Sequence, residues 1–481
     1  MPEYLSPGVY VEEVPSSIKP IAGVSTSTAG FVGVVAYPVD IPEINPDYDP
    51  TGKSPDANSK SPFRKWQFPL PDDAFDAAQK AFTDLAEPGT RPAQPKGLKD
   101  EADPTKKSAI LRKFREAQDA LALATHRRAS GISKDEIAHE LATPVLCTTF
   151  GDFTRHFGGF SSDPGQNKLA QGVYGFFNNG GTRCYVMRFN ELAGLQDPQS
   201  LAPFDAIDEI SLIAAPGIVD QVVQTNLLDH CENLTDRFAI LDPPDIPTDG
   251  SVDLTDTNIK VARNTDYGAL YFPKIKIFDI ATKLTQDDSD GEIYVAPSGH
   301  VAGIYARTDQ ERGVHKAPAN EVIHGALDIQ FQISRSLQDG LNPTGVNCIR
   351  YINGDIRVWG ARTIGGDFNA DLKYVNVRRT LIFLRKSIDQ GTQWVVFEPN
   401  DRTLWAKIVR NVSAFLTTVW RDGALFGSTP QEAFYVRCDD ETNPPEERDL
   451  GKVTTEIGVA IVRPAEFVIF RIEQWQGPSG Q

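Results

Sequence analysis

No apolar run in this 481-residue chain approaches the ~18–20 positions that a membrane-spanning helix requires, so direct insertion into a membrane is not expected. The opening MPEYLSPGVY has no basic region followed by an apolar segment, so no secretory signal is expected. Basic charge is scarce: 48 Lys+Arg against 65 Asp+Glu leave a net −17. Phosphate binding needs a basic footprint, so nucleic acid is excluded as the expected partner. The five cysteines (147, 184, 231, 348 and 438) include no CxxC pair. They read as reduced thiols of a cytoplasmically made protein, buried as small apolar residues. GxSxG, HExxH and spaced Cys/His sets do not occur, so no catalytic residue, no metal and no cofactor is expected.

What is present suits packing. Hydrophobic residues make up 40% of the chain, enough for real cores, and the length implies two or three domains. Charge is unevenly placed. Residues 1–350 carry a net −16 and residues 351–481 a net −1, yet residues 373–421 hold a local +6. An acidic exterior keeps a crowded assembly soluble, and a basic strip can meet an acidic partner. The plainer reading of that strip is a solvated helix face.

In chain order, Val9, Tyr10, Val11 and Val14 form a short strand pattern between Pro7-Gly8 and Pro15. With little sequence beside it, this strand must pair with a distant strand of its own chain or with a neighbour's sheet edge. FVGVVAYPVDI (31–41) predicts a buried strand and a turn. Residues 42–107 are then rich in proline, aspartate and lysine, a composition of loops. Within and after them the spacing predicts helices over Asp72–Leu85, 105–129 and Ser133–Leu141. From 144 onward, PVLCTTFGDFTRHFGGF, LAQGVYGFFNNGGTRCYVMRF, ISLIAAPG, a helix through Leu234 and RFAILDPP alternate strand and helix. That alternation predicts an α/β layer with a parallel pair. YGALYFPKIKIFD and EIYVAPSGHVAGIY are expected to add strands.

Three groups invite a chemical reading. Gly52-Lys53-Ser54 lacks the first glycine of a phosphate loop, Asp47 standing in its place, and Pro55 would break the helix that should follow. Asp287-Asp288-Ser289-Asp290-Gly291-Glu292 suggests calcium, but Gln286 occupies the first ligand position of the loop. His300, Asp309 and His315, with Arg307 and Arg312 among them, could assemble a site in a soluble α/β enzyme. No nucleophile with a supporting turn accompanies them, and the charges are better suited to ion pairs that fix a loop or a contact with a neighbour.

Near the end, Asn400 or Asp401 is expected to cap a helix that runs to about Asp422 and stops at Gly423. Its apolar stripe is Trp405, Ile408, Val409, Val412, Phe415, Leu416 and Val419. The opposite face gathers Lys407, Arg410, Asn411, Ala414, Thr417, Thr418 and Arg421. EFVIFRIEQW (466–475) predicts a last strand, with Val468, Phe470 and Ile472 on one face. A strand at each end of a chain permits exchange in two directions, and such contacts build stacked rings or open helices.

PSGHVAGIYARTDQERGVHKAPAN (297–320), YVNVRR, TQWVVFEPND and RPAEFVIFRI, with SPGVYVEEV and GVSTSTAGFVGV near the start, resemble the contractile tail sheath family of phage tails, tailocins and phage-like injection systems. The likeness covers most of the chain except about residues 42–142. It implies an α+β multi-domain fold with a core domain built from the C-terminal third plus the N-terminal segment, an α/β outer domain and a mainly helical insertion. The expected limits are 1–35 for the N-terminal arm and first core strands, 36–143 for the outer segment with its insertion, 144–345 for the α/β domain and 346–481 for the core domain. The tube-facing helix falls at about 401–422 and the C-terminal arm at 464–481. The resemblance further implies that the terminal strands (Val9, Tyr10, Val11 and Val14; Phe467, Val468, Ile469, Phe470 and Ile472) are exchanged between subunits. It also implies that Lys407, Arg410 and Arg421 face an inner tube. Expected partners are copies of the chain in a helical stack of sixfold rings, the tube protein, and baseplate and terminal cap proteins. A soluble enzyme and a non-contractile shell protein are the rival readings.

Overall fold

The computed structural model describes residues 20–45, 62–70, 72–88, 93–130, 141–246, 259, 263–286 and 289–471. Val9, Tyr10, Val11, Val14, Ile472, Gly52-Lys53-Ser54, Asp287-Asp288 and most of the helix expected at 133–141 lie outside these residues. The chain divides into two compact units. The larger comprises Ser25–Arg379, and the smaller comprises residues 1–24 together with Thr380–Gln481.

The larger unit is organised around β1 (Ala29–Val34), five of whose six residues are buried. After β1 come the antiparallel pair β2 (Val39–Ile44) and β3 (Phe63–Phe68), then α1 (Asp72–Leu85) and α2 (Pro104–Ser130). It returns as the three-residue strand β4 (Val145–Cys147). Next comes α3 (Phe150–Phe157), which opens with a reciprocal cap between Thr149 and Asp152. Then α4 (Pro164–Asn178) begins with Asp163 as cap and proline in its first turn. β5 (Cys184–Phe189) pairs in parallel with one side of β1, and β6 (Leu212–Ala214) with the other. Capped by Asp220, α5 (Gln221–Leu234) leads to β7 (Phe238–Leu241).

β8 (Gly268–Phe272) follows, then β9 (Ile275–Phe278), β10 (Glu292–Val295), α6 (Ser298–Arg312), β11 (Glu321–Val322), β12 (Ala326–Ile329), β13 (Val346–Ile352) and β14 (Asp355–Val358). The main sheet has nine strands in the order β11-β14-β13-β8-β7-β6-β1-β5-β4. Its six middle strands are parallel, where the sequence predicted one parallel pair. Both ends finish in short antiparallel strands, which leaves little backbone open for further pairing. Successive residues of β1 point to opposite faces. Val32 enters an apolar cluster with Leu227 and Leu228 of α5. Phe31 meets Phe176 of α4 edge-on, with ring centroids 5.3 Å apart.

The sequence SGHVAGIY, expected as strand, is the start of α6. Gly299 and Gly303 disfavour a helix in isolation, yet here they let α6 lie directly on α4. A Cβ on Gly299 would overlap the Gly172 carbonyl, and one on Gly303 the Phe176 carbonyl. Close packing of two backbones outweighs the weak local preference. The β2–β3 pair was also not foreseen, because FRKWQF is polar and its partner lies across the 46–62 connection.

The expected domain limits move as well. β1 lies inside the nine-stranded sheet rather than with the C-terminal part, and so do β13 and β14. The division falls at Val24/Ser25 and at Arg379/Thr380, within α7 (Val375–Thr392), not at 345/346. Parallel pairing of β13 with β8 is what ties residues 346–352 to the larger unit.

The smaller unit contains the last part of α7, α8 (Arg402–Arg421) and a two-stranded antiparallel sheet of β15 (Phe434–Arg437) and β16 (Glu456–Val459). Its core joins Ile21 and Leu384 to the apolar face of α8.

Candidate functional site

The helix α8 begins where the sequence placed its cap: the Asp401 carboxylate accepts the Leu404 N–H at 2.8 Å. Asn400 instead accepts the Trp405 indole N–H at 2.8 Å, which pins the first turn. At the other end the chain turns through Gly423 in the left-handed region (φ 82). The buried stripe is Leu404, Trp405, Ile408, Val412, Phe415, Leu416 and Val419, joined by Asn411.

Asn411 corrects the sequence reading, which set it on the polar face. It sits three residues after Ile408 and four before Phe415, so it falls inside the stripe once the stripe is wide. Both of its amide atoms are buried with no hydrogen-bond partner among the described residues.

Arg410 and Arg421 are exposed and Lys407 is half-buried. At about 100° and 1.5 Å per residue these three share an arc of roughly 60° spread over about 21 Å of helix. Ala414 and Thr418 lie exposed between them, giving a flat cationic face. Arg421 in the last turn also complements the helix dipole.

The smaller unit exposes large apolar side chains to an unusual degree. Phe467, Val468, Ile469 and Phe470 are 71%, 68%, 80% and 84% exposed. They form no ladder with any described residue. Phe426, Tyr435 and Leu450 are exposed too. Ahead of α8, Val396 is largely exposed and Phe397 completely so, and Phe397 takes a left-handed backbone (φ 67). An aromatic residue in that conformation is strained. Sequence reading passed over Val396 and Phe397, although the apolar run WVVF in a connection between two helices was a visible signal.

Two members of the candidate enzyme group, His300 and Asp309, are held apart. His300 and Asp309 occupy the same helix nine residues apart, about 13 Å along its axis. Asp309 is taken up by Arg379, whose guanidinium donates to both carboxylate oxygens at 2.9 and 2.5 Å, with both side chains buried. Thr26 donates its hydroxyl to the same carboxylate at 2.7 Å and accepts from Arg379 on its carbonyl at 2.9 Å. The guanidinium lies 4.7 Å from the centre of the Tyr305 ring, whose hydroxyl meets that of Tyr271 at 2.6 Å. This buried network ties α6, α7 and the approach to β1 together, the loop-fixing alternative of the sequence reading. Arg307 donates to the Val322 carbonyl at 2.7 Å, and the His315 carbonyl accepts from Asn376 at 2.8 Å. Arg312 is exposed. Burial alone holds the His300 pKa down at about 4, so its imidazole is neutral.

A crevice of about 460 Å³ opens where the strand order reverses around β1, lined by Gly33, Val34, Lys168 and the loop from Pro216 to Asp220. Ligands of open α/β sheets bind at such points. The two helix N-termini nearby, however, are capped by the chain's own Asp163 and Asp220 carboxylates. Beside it, Asp242 is buried and accepts from the Gly217 and Ser298 amides at 2.9 and 2.8 Å and from the Ser298 hydroxyl at 2.7 Å. Burial raises its pKa to about 6 in spite of these bonds.

Comparison with known proteins supplies what the geometry leaves open. The phage tail sheath protein central domain matches residues 195–364 and the phage tail sheath C-terminal domain matches residues 367–474, together more than half of the chain. A prophage major tail sheath protein of Pseudomonas aeruginosa (strain UCBPP-PA14) is 26% identical over 277 residues, 55% of this chain and 65% of that protein. The tail sheath protein of Burkholderia phage BcepMu is 26% identical over 218 residues, 44% of this chain and 43% of that protein. The matched stretches therefore span less than two thirds of these relatives. The helical sheath of the anti-feeding prophage in its contracted state shares the fold with a TM-score of 0.62 at 22% identity, covering 98% of this chain and 99% of that one.

Proposed function

Because the chain belongs to the contractile tail sheath family, we propose that it is a structural sheath subunit which polymerises helically around an inner tube and contracts to drive that tube through a target envelope. One observation carries the reading: the apolar run Phe467–Phe470 stands in solvent without a strand partner among the described residues. Fully burying such side chains is worth roughly 1.5–3 kcal/mol each, a strong drive to lay the run on something else. The neighbour's sheet is a suitable acceptor. A two-stranded sheet such as β15–β16 is marginal alone and gains from an added strand. The same role extends to Ile472 and, at the other end of the chain, to Val9, Tyr10, Val11 and Val14.

Lys407, Arg410 and Arg421 form the tube-facing surface in this account, since a flat basic helix face suits an acidic protein surface. Copies stack as sixfold rings, with baseplate and terminal cap proteins at the ends. Contraction is a rigid-body change between two packings of the same units, with the arms as hinges. It needs no catalytic activity. A difference of a few kcal/mol per subunit, summed over many copies, supplies the work. Among the described residues no helix is long and apolar enough to cross a membrane. Assembly takes place in the bacterial cytoplasm, and the finished particle acts from within the cell or after release.

Negative-stain microscopy of the purified protein tests the proposal. Long tubes in two forms of different diameter are expected. Discrete particles would favour the enzyme reading, and tubes of a single diameter the non-contractile shell.

A further inference from the structure

We propose that Cys147 and Cys184 are a modification site, forming a cross-strand disulfide that fastens the sheet-edge strand β4 to β5 when the protein meets a thiol oxidant. The register of the sheet places the two residues directly opposite each other on antiparallel strands. Residues so paired project to the same face with Cβ atoms about 4.5–5.5 Å apart. Disulfides have Cβ separations of about 3.5–4.5 Å, so a small shift of β4 suffices. Both side chains are fully buried, each the other's cross-strand neighbour. Cys231, on α5, Cys348, on β13, and Cys438, in the smaller unit, have no cysteine opposite them in any strand register.

Burial first, and the Cys147 thiol second, raise the pKa of Cys184, so in the closed sheet that thiol is unreactive. Reaction therefore requires β4 to open. That strand is the place for it: three residues long and hydrogen-bonded to the sheet on one side, it belongs to the low-stability end of a fold.

With a small organic disulfide as oxidant, the opened Cys147 loses its proton to water and its thiolate attacks one sulfur. One thiolate is expelled and a mixed disulfide remains. While β4 is still open, Cys184 in turn loses its proton to water, and its thiolate attacks the Cys147 sulfur and expels the second thiolate. Two protein thiols have then given up two electrons and two protons, and the external disulfide has become two thiols. In a reducing compartment the pair stays open, and in oxidising surroundings it closes. The closed form can no longer fray at β4, so the chain is held where it re-enters the sheet after α2.

The full-length protein would be incubated with 2-hydroxyethyl disulfide, then unfolded in iodoacetamide, digested without reduction and analysed by mass spectrometry. A peptide pair linking Cys147 to Cys184, two hydrogens lighter than its free components, is expected, with Cys231, Cys348 and Cys438 recovered alkylated. Oxidation should also raise the Tm of the wild type but not of Cys184→Ser. Recovery of Cys147 and Cys184 as alkylated thiols, or as mixed disulfides that never close, would overturn the proposal. If the variant does not fold, the wild-type peptide map decides alone.

Discussion

The two units treat their sheets in opposite ways. The larger ends its nine-stranded sheet in strands of two and three residues, covers both faces with helices and closes its charged groups on one another. The smaller has a two-stranded sheet, a helix with a cationic face and an apolar run in solvent. In the proposed account the first is a finished domain, and the second takes its missing strands and contacts from neighbouring copies. Two buried hydrophobic cores can thus differ chiefly in the state of the sheet edges beside them.

Removing residues 464–481 should break the comparison most sharply. Polymer seen by microscopy falls to none, while the thermal unfolding of the larger unit is unchanged. A loss of folding rather than of assembly would place the segment in the subunit's own core. Next comes Arg379→Ala, which leaves the buried Asp309 carboxylate unpaired. Such a change costs about 3–5 kcal/mol, readable in urea unfolding of the free subunit.

Acidity acts on the larger unit in the third prediction. His230 and His300 are both held at about 4 when folded, chiefly by burial, against an unfolded value of 6.5. The unfolded chain therefore binds more protons between these values, and stability present above pH 6.5 is lost as pH falls towards 4. Asp242, raised to about 6, works in the opposite sense: its contribution is present below about 3.8 and lost as pH rises through 6. With two histidines against one carboxylate, acid is expected to destabilise the unit. His300→Gln should flatten the profile of urea midpoints between pH 5 and 7. The smallest effect on stability belongs to the triple reversal Lys407→Glu, Arg410→Glu and Arg421→Glu. Two of these positions are exposed and the third half-buried, and surface substitutions shift stability within about 0.5 kcal/mol, while tube affinity should fall markedly at low salt. Unchanged affinity would remove these residues from the tube-facing role.

Sequence patterns revealed most of what local chemistry decides. α1 runs over the predicted Asp72–Leu85, and α8 starts at Asp401 because a carboxylate cap followed by an i, i+3, i+4 stripe has few alternatives. The alternation of buried strands and helices from 144 to 244 was likewise readable. What escaped depends on distant partners. Gly299 and Gly303 form a helix because the backbone of α4 comes close enough to meet them, and FRKWQF becomes a strand only beside β2. Asn411 is buried because the smaller unit covers more of α8 than its apolar residues alone would require. For the surfaces proposed to serve assembly, spacing revealed the basic face of α8, but only the folded chain displays Phe397 and Phe467–Phe470 standing in solvent.

Backbone hydrogen exchange of Phe467–Phe470 in free subunits and in assembled polymer tests the central claim most directly. The account predicts fast exchange in the free chain and slowing of a hundredfold or more in the polymer, as the run gains a strand partner. Equal rates in both states would contradict it.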